Sequence, residues 1–184
     1  MGEFTAMARQ LIELAVEGEG PIRHKGAIGK ATSVECAAGS TPHMVLSMSE
    51  DKKAADFAFE DVVGYVRLIR RLALDETPGP AQSLLCEFDV SATDIDSVSV
   101  FLSRLVTGKG WVHLGRQRVN LNVRPSSSRF TVLFEAPPEV VPQVVIIELR
   151  KSGKLRINAS RLRLVPMSGI ADRLPAVVQQ KDYS

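Results

Sequence analysis

Residues 129–166, RFTVLFEAPPEVVPQVVIIELRKSGKLRINASRLRLVP, hold three strand patterns in succession: 130–135, 143–150 and 154–165. Pro137, Pro138 and Pro142 break the first gap, and Ser152-Gly153 in the second has the length of a hairpin turn. The middle segment carries Val144, Val145, Ile146 and Ile147 side by side. A β-branched run, apolar on both parities, predicts a strand covered on both faces. The third segment alternates, with Leu155, Ile157 and Ala159 on one parity. Arg161 and Arg163 then take that parity, and Leu162 and Leu164 take the other. Side chains change face only when a residue is inserted, so a bulge is predicted near 158–160.

The same signals recur upstream. Strands are predicted over 31–37, 44–49, 57–60, 83–90, 97–106, 110–114 and 118–124, with a turn or bulge at Gly115-Arg116-Gln117 where the inward parity changes. Residues 61–74 fit either a helix or a strand; Gly64 in the interior and the neighbouring strands favour the strand. Helical spacing of Met7, Leu11, Leu14 and Ala15 predicts a short N-terminal helix that Gly18-Glu19-Gly20-Pro21 stops, and a second short helix is expected in 168–180. Met1-Gly2-Glu3-Phe4 reads as a cloning scar. The expected organisation is a scar and N-terminal linker or helix over 1–20, an all-β sandwich domain over 21–166 and a tail over 167–184.

The 184 residues suffice for one domain with a substantial core. A net charge of +2 is too small to argue for nucleic acid or an anionic membrane, and a 5% aromatic content suits single-strand stacking poorly. No apolar run approaches the length of a membrane helix, so no membrane insertion is expected. Cys36 and Cys86 match no metal spacing. Two buried thiols and a disulfide between neighbouring strands are both open readings, and the compartment stays undetermined.

Within this frame a resemblance emerges. Phe134-Glu135-Ala136-Pro137, Ile147-Glu148-Leu149, Gly153, Ile157-Asn158-Ala159 and Leu162-Arg163-Leu164 fall in the order found in the C-terminal half of galactose-binding-like jelly rolls. Gly64-Tyr65-Val66-Arg67 and residues 83–90 fit the earlier part more loosely, so the likeness covers residues 62–166. Many carbohydrate-binding modules have this form. The resemblance implies a jelly-roll β-sandwich and a non-catalytic carbohydrate-binding accessory module, of bacterial type. It would serve a larger enzyme or a cell-surface polysaccharide system. Two positions depart from the pattern: the usual Asp-Asp pair is Asn158-Ala159, and the usual Trp is Ser128. The first weakens a structural calcium, for which Glu35 and Asn158 are left as weak candidates; no cofactor is expected.

Catalytic motifs are lacking: His24, His43 and His113 are scattered, and there is no H-E-x-x-H, G-x-S-x-G or phosphate-loop pattern. The acid pairs Asp94/Asp96 and Glu60/Asp61 read as solvated turn residues. A sugar site needs an aromatic for the C–H face and planar polar groups for the hydroxyls. Trp111 and His113 share one parity of their strand; if Val112 and Leu114 face the core, both point outward, and Arg116 and Arg118 follow directly. With Tyr65 as a second platform, these five are the candidate ligand residues; the alternative is that Trp111 packs into the core or a domain interface and that Tyr65 packs as well. The basic runs around Arg116–Arg129 and Arg150–Arg163 read mainly as solvated sheet faces that could also meet an acidic glycan or a partner domain. The alternative function is a protein-interaction or scaffold sandwich with no sugar ligand.

Overall fold

A computed structural model describes residues 14, 16–72, 82–136, 141, 143–158, 163–167 and 178–182; for 82–85, 111, 113–120, 133, 135–136, 163–167 and 178–182 it describes the backbone alone. Fourteen strands are present and no helix among the described residues. One sheet, sheet A, contains β1 (Gly20–Pro21), β4 (His43–Met48), β5 (Ala54–Glu60), β12 (Gly153–Asn158), β7 (Gln82–Thr93), β10 (Ser128–Ala136) and β14 (Val178–Asp182) in that spatial order, with β13 (Arg163–Met167) also paired to β7. The other, sheet B, runs β2 (Lys25–Gly29), β3 (Thr32–Cys36), β6 (Val66–Arg71), β11 (Val144–Leu149), β8 (Ser97–Val106) and β9 (Gly110–Asn122). All ladders are antiparallel. The architecture is a jelly-roll β-sandwich.

Alternation places the core between the sheets. Phe57, Phe88, Phe130, Val132, Phe134, Leu155 and Ile157 from sheet A meet Val34, Leu68, Val100, Leu102, Val145, Ile147 and Leu149 from sheet B in one buried cluster. Each such side chain contributes roughly 1.5–3 kcal/mol by leaving water. One parity of β10 (Phe130, Val132, Phe134) and one of β11 (Val145, Ile147, Leu149) lie wholly in it.

The decisive stretch is built differently from its expectation at one point. β11 and β12 do not form a hairpin. β11 pairs with β6 and β8, and β12 pairs with β5 and β7, so Arg150–Ser152 arches from one sheet to the other. Both edges of each strand are occupied by other neighbours, which leaves none for a hairpin partner. Gly153 makes the landing possible: its φ is +155°, and a Cβ there would lie 2.4 Å from the Thr93 carbonyl oxygen.

The expected change of face in the last segment is borne out. Ile157 pairs with Val90 and Arg163 with Glu87, so the chain advances six residues while β7 advances three. The excess is odd, and position 164 therefore falls opposite buried Cys86 just as Ile157 falls opposite buried Val90. The change on β9 also occurs: Leu102 pairs with Leu114 and Val100 with Val119, so residues 115–118 bulge opposite Phe101.

Residues 61–74 contribute β6, a strand, and Gly64 (φ +76°) turns the chain into it. The tail differs from expectation: residues 178–182 are β14, paired along β10 from Ser128 to Val132, where a helix over 168–180 was anticipated. The unpaired edge of β10 supplies the reason, because its backbone groups need partners. Residues 168–177 lie outside the described residues, as does the expected N-terminal helix except at its end, where Leu14 and Val16 pack on the core. Both cysteines are free. Cys86 is buried in sheet A and Cys36 half-buried in sheet B, its thiol 3.8 Å from the Met44 sulfur.

Candidate functional site

The outer face of sheet B gathers most of the residues of interest. Position 35 on β3, 67 on β6, 148 on β11, 99 on β8 and 120 on β9 form one row across five strands. The next row is Ser33, Ile69, Ile146 and Phe101. Beyond it come Arg71, Val144, Ser103 and His113, and finally Leu105 opposite Trp111. The face thus has a polar row at one end, an apolar centre and a position for the single tryptophan at the other end.

The centre is not open. Ile69, Phe101, Val144 and Ile146 form their own buried cluster, and Ser103 is buried with them. The polar end is packed as well. Arg67 donates from Nε to Glu148 Oε2 at 2.8 Å, and Arg150 donates from Nε to Glu148 Oε1 at 3.0 Å. The Glu148 side chain has no exposed surface, so its charge depends on these bonds. The Arg67 guanidinium carbon lies 4.0 Å from the Tyr65 ring centroid and 5.6 Å from that of Phe101. Cation–π contacts on both rings hold it over the carboxylate. Glu35 adds a buried Oε2 without a hydrogen-bond partner.

The structure separates the predicted ligand residues. Trp111 and His113 occupy outward register positions, opposite Leu105 and Ser103, whose parity is that of Phe101. Arg116 and Arg118 lie in the bulged part of β9. The side chains of these four lie outside the described residues. Tyr65 is at the far end of the face: eight or so residues of strand and three strand spacings part it from Trp111, roughly 30 Å by strand geometry. Its ring carries the Arg67 guanidinium on one face. Val112 has the parity of buried Leu102 but is 37% exposed, and Leu105 is 53% exposed. The end of the β8–β9 hairpin therefore presents apolar groups on both faces.

The calcium candidates are not brought together. Glu35 is on β3 of sheet B and Asn158 ends β12 in sheet A. Among the described residues no group of three or more His, Cys, Asp or Glu could hold a metal ion. The acid pairs are surface groups at strand ends and the turns beside them: Asp96 pairs with Lys151, and Glu60, at the end of β5, lies 3.8 Å from His43. Part of the basic run is paired too, with Arg129 on Asp89 and Arg156 on Asp56.

Sequence reasoning missed Arg67, Glu148 and Phe101 as a unit. A signal existed: Glu148 is the one charge in an otherwise apolar strand, and Arg67 falls on the outward parity. Their meeting, 81 residues apart in the chain, depends on a register that no local pattern carries.

A sheet A cleft of about 500 Å³ lies on that sheet's outer face, bordered by Val45, Ser47, Asp56, Ala58, Ser91, Thr93, Lys154 and Arg156. There Arg156 bonds Asp56 twice, Nε to Oδ1 at 2.6 Å and Nη2 to Oδ2 at 2.8 Å.

No family model and no curated protein matches this chain. Solved structures do. The family 11 carbohydrate-binding module from Clostridium thermocellum, in complex with a β-1,3-1,4-mixed-linked tetrasaccharide, aligns at 12% identity and a TM-score of 0.50. The alignment covers 82% of this chain and 96% of that one. The family 11 module of a cellulosomal cellulase from the same organism aligns at 13% identity and the same TM-score, over 82% and 95%. At such identities the likeness is one of fold.

Proposed function

We propose that this jelly-roll chain is a non-catalytic glycan-binding module, accessory to a larger enzyme or to a cell-surface polysaccharide system, and that it holds its glycan at the Trp111 end of sheet B. The observation that carries this reading is the β8–β9 ladder. It sets positions 111 and 113 on one outward face, beside an exposed Leu105, at the rim of a sheet face whose centre is filled. An indole there supplies the apolar plane a pyranose ring stacks on, His113 a hydrogen-bonding edge, and Arg116 and Arg118 planar donors for hydroxyls or a sugar carboxylate. The fold shared with two family 11 modules is consistent with the reading.

A glycan array that includes acidic polysaccharides identifies the ligand, and calorimetry of Trp111→Ala tests the site. Loss of the ring weakens binding by about 1–3 kcal/mol, the scale of burying a large apolar side chain, or roughly five- to 150-fold. The melting temperature stays within a degree or two of wild type. A large drop in melting temperature would put the indole in the packing and remove the stacking platform. With an acidic ligand, Arg116→Ala and Arg118→Ala lose most affinity at low salt, since exposed charges are screened over about 10 Å at 0.1 M. With a neutral one, salt matters little.

One observation favours a second reading, a protein-interaction domain. Leu105 and Val112 make the hairpin tip apolar on both faces. A blank glycan array, together with a partner protein lost on Leu105→Asp, would decide for it.

A further inference from the structure

The sheet A cleft is built by two aligned rows of residues. Ser47, Asp56, Arg156 and Ser91 are successive Cα partners across β4, β5, β12 and β7. The row spans three strand spacings, about 14 Å. Val45, Ala58, Lys154 and Thr93 form the adjacent row. Two short side chains, Val45 and Ala58, leave a trough beside the Asp56–Arg156 pair.

The chemistry of this trough is specific. Arg156 spends Nε and one Nη2 hydrogen on Asp56, so its remaining N–H groups stay free to donate, and the Asp56 oxygens keep lone pairs to accept. Two hydrogen bonds hold the two groups side by side. A donor edge next to an acceptor edge at this spacing matches a vicinal diol, in which one hydroxyl accepts a hydrogen bond from Arg156 and its neighbour donates one to Asp56. Ser47 and Ser91 offer further hydroxyls at the ends of the row. Val45 and Ala58 supply a small apolar floor for C–H groups. The charges nearly cancel, because Lys154 and Arg156 are set against Asp56 and the neighbouring Asp51. A polyanion gains little here, and a neutral chain meets no field to resist it.

We infer that this cleft is a second ligand site, which takes a neutral, hydroxyl-rich chain across β4, β5, β12 and β7 and reads a vicinal diol with Asp56 and Arg156. It lies on the opposite outer face from Trp111 and does not depend on the site proposed there. Strand spacing is close to the length of one pyranose ring, so the row accommodates a short oligosaccharide lying across the strands. Phe57 borders the cleft, but its ring is buried in the core, and no other aromatic lines it among the described residues; binding is therefore weak, in the millimolar range, and adds to affinity when both faces hold the same polymer.

The test is an amide-shift titration of the full chain carrying Trp111→Ala, so that a ligand held at the other face drops out. The probes are cellotetraose, xylotetraose and mannotetraose, all neutral, with trigalacturonate as the charged probe. A neutral tetrasaccharide is expected to shift the amides of Ser47, Asp56, Ser91 and Arg156 saturably. Ala58→Leu, which fills the trough without offering a ring to stack on and leaves the ion pair in place, weakens this at least ten-fold; Arg156→Gln, also on the solvent face, does the same by removing donors. Three results overturn the inference: no shift with any neutral probe, shifts with trigalacturonate alone, or shifts that survive both substitutions in folded protein.

Discussion

Glu148 and Arg150 show how unequal two ends of one ion pair are. The carboxylate has no exposed surface, whereas the Arg150 side chain is 58% exposed and Arg67 only 12%. Glu148→Ala strands the Arg67 guanidinium under two rings and is expected to cost about 3–5 kcal/mol, as for any buried pair broken from one side. Arg150→Ala loses a screened contact and costs about 0–1 kcal/mol. Urea melts of the two variants measure the contrast, and equal losses would contradict it. Gly153→Ala is a different kind of change. The added methyl meets the Thr93 carbonyl and the Ile95 side chain at a backbone angle suited to glycine. Overpacking of about 1–3 kcal/mol and strain of about 1–3 kcal/mol add there, so the variant melts far below wild type. Cys86 links stability to alkali. Burial first, and the charge of Glu87 second, push its thiol up from 9.0 to about 12. The folded protein keeps the proton that the unfolded chain gives up above pH 9. This contribution is therefore complete below pH 9 and falls away as pH rises toward 12, by roughly 4 kcal/mol at most. Denaturation midpoints of wild type and Cys86→Ala between pH 8 and 11 check this, and the wild type is the one with the steeper alkaline decline.

At the element scale, β11 tests whether the outer face of sheet B is structural. Val145, Ile147 and Leu149 face the sandwich core, and Val144, Ile146 and Glu148 face away, yet all six are buried. Ile146→Ala should therefore cost as much as Ile147→Ala, about 2–5 kcal/mol each. A loss below about 0.5 kcal/mol at Ile146 would show that its cover is loose. That strand was legible in the sequence because a run apolar on both parities has few other uses. The reversal after Ile157 was legible for a related reason: leucines and arginines exchanged parity, and only an odd insertion allows that. The partner of each strand was not legible. Ser152-Gly153 reads as a hairpin by length alone, and the arch between sheets is decided by β5, β6, β7 and β8, which lie far upstream. The candidate site shares this limit. Parity alone sets Trp111 and His113 on one face, whereas the distance of Tyr65 from them and its contact with Arg67 come from the order of strands in sheet B.

For the whole molecule, the C-terminal strand β14 closes one side of sheet A. Truncation after Met167 would bare β10, whose backbone groups then pair with another chain or with water. The truncated protein should melt lower and self-associate in light scattering, while a monomer of unchanged melting temperature would show that β14 is dispensable. The arch has a larger consequence. Among the described residues, β12 is what joins β4–β5 to β7–β10, and β11 is what joins β3–β6 to β8–β9. Each sheet is thus two halves until 144–158 arrives, and β5 waits through some hundred residues for its neighbour. On a ribosome, which delivers about 5–20 residues per second, the nascent chain spends most of its synthesis without a closed layer. Long loops must then be shut at the last step, which places this domain among slow folders. Nascent chains arrested before Val144 should be cut readily by protease, and resistance should set in abruptly once Asn158 has emerged.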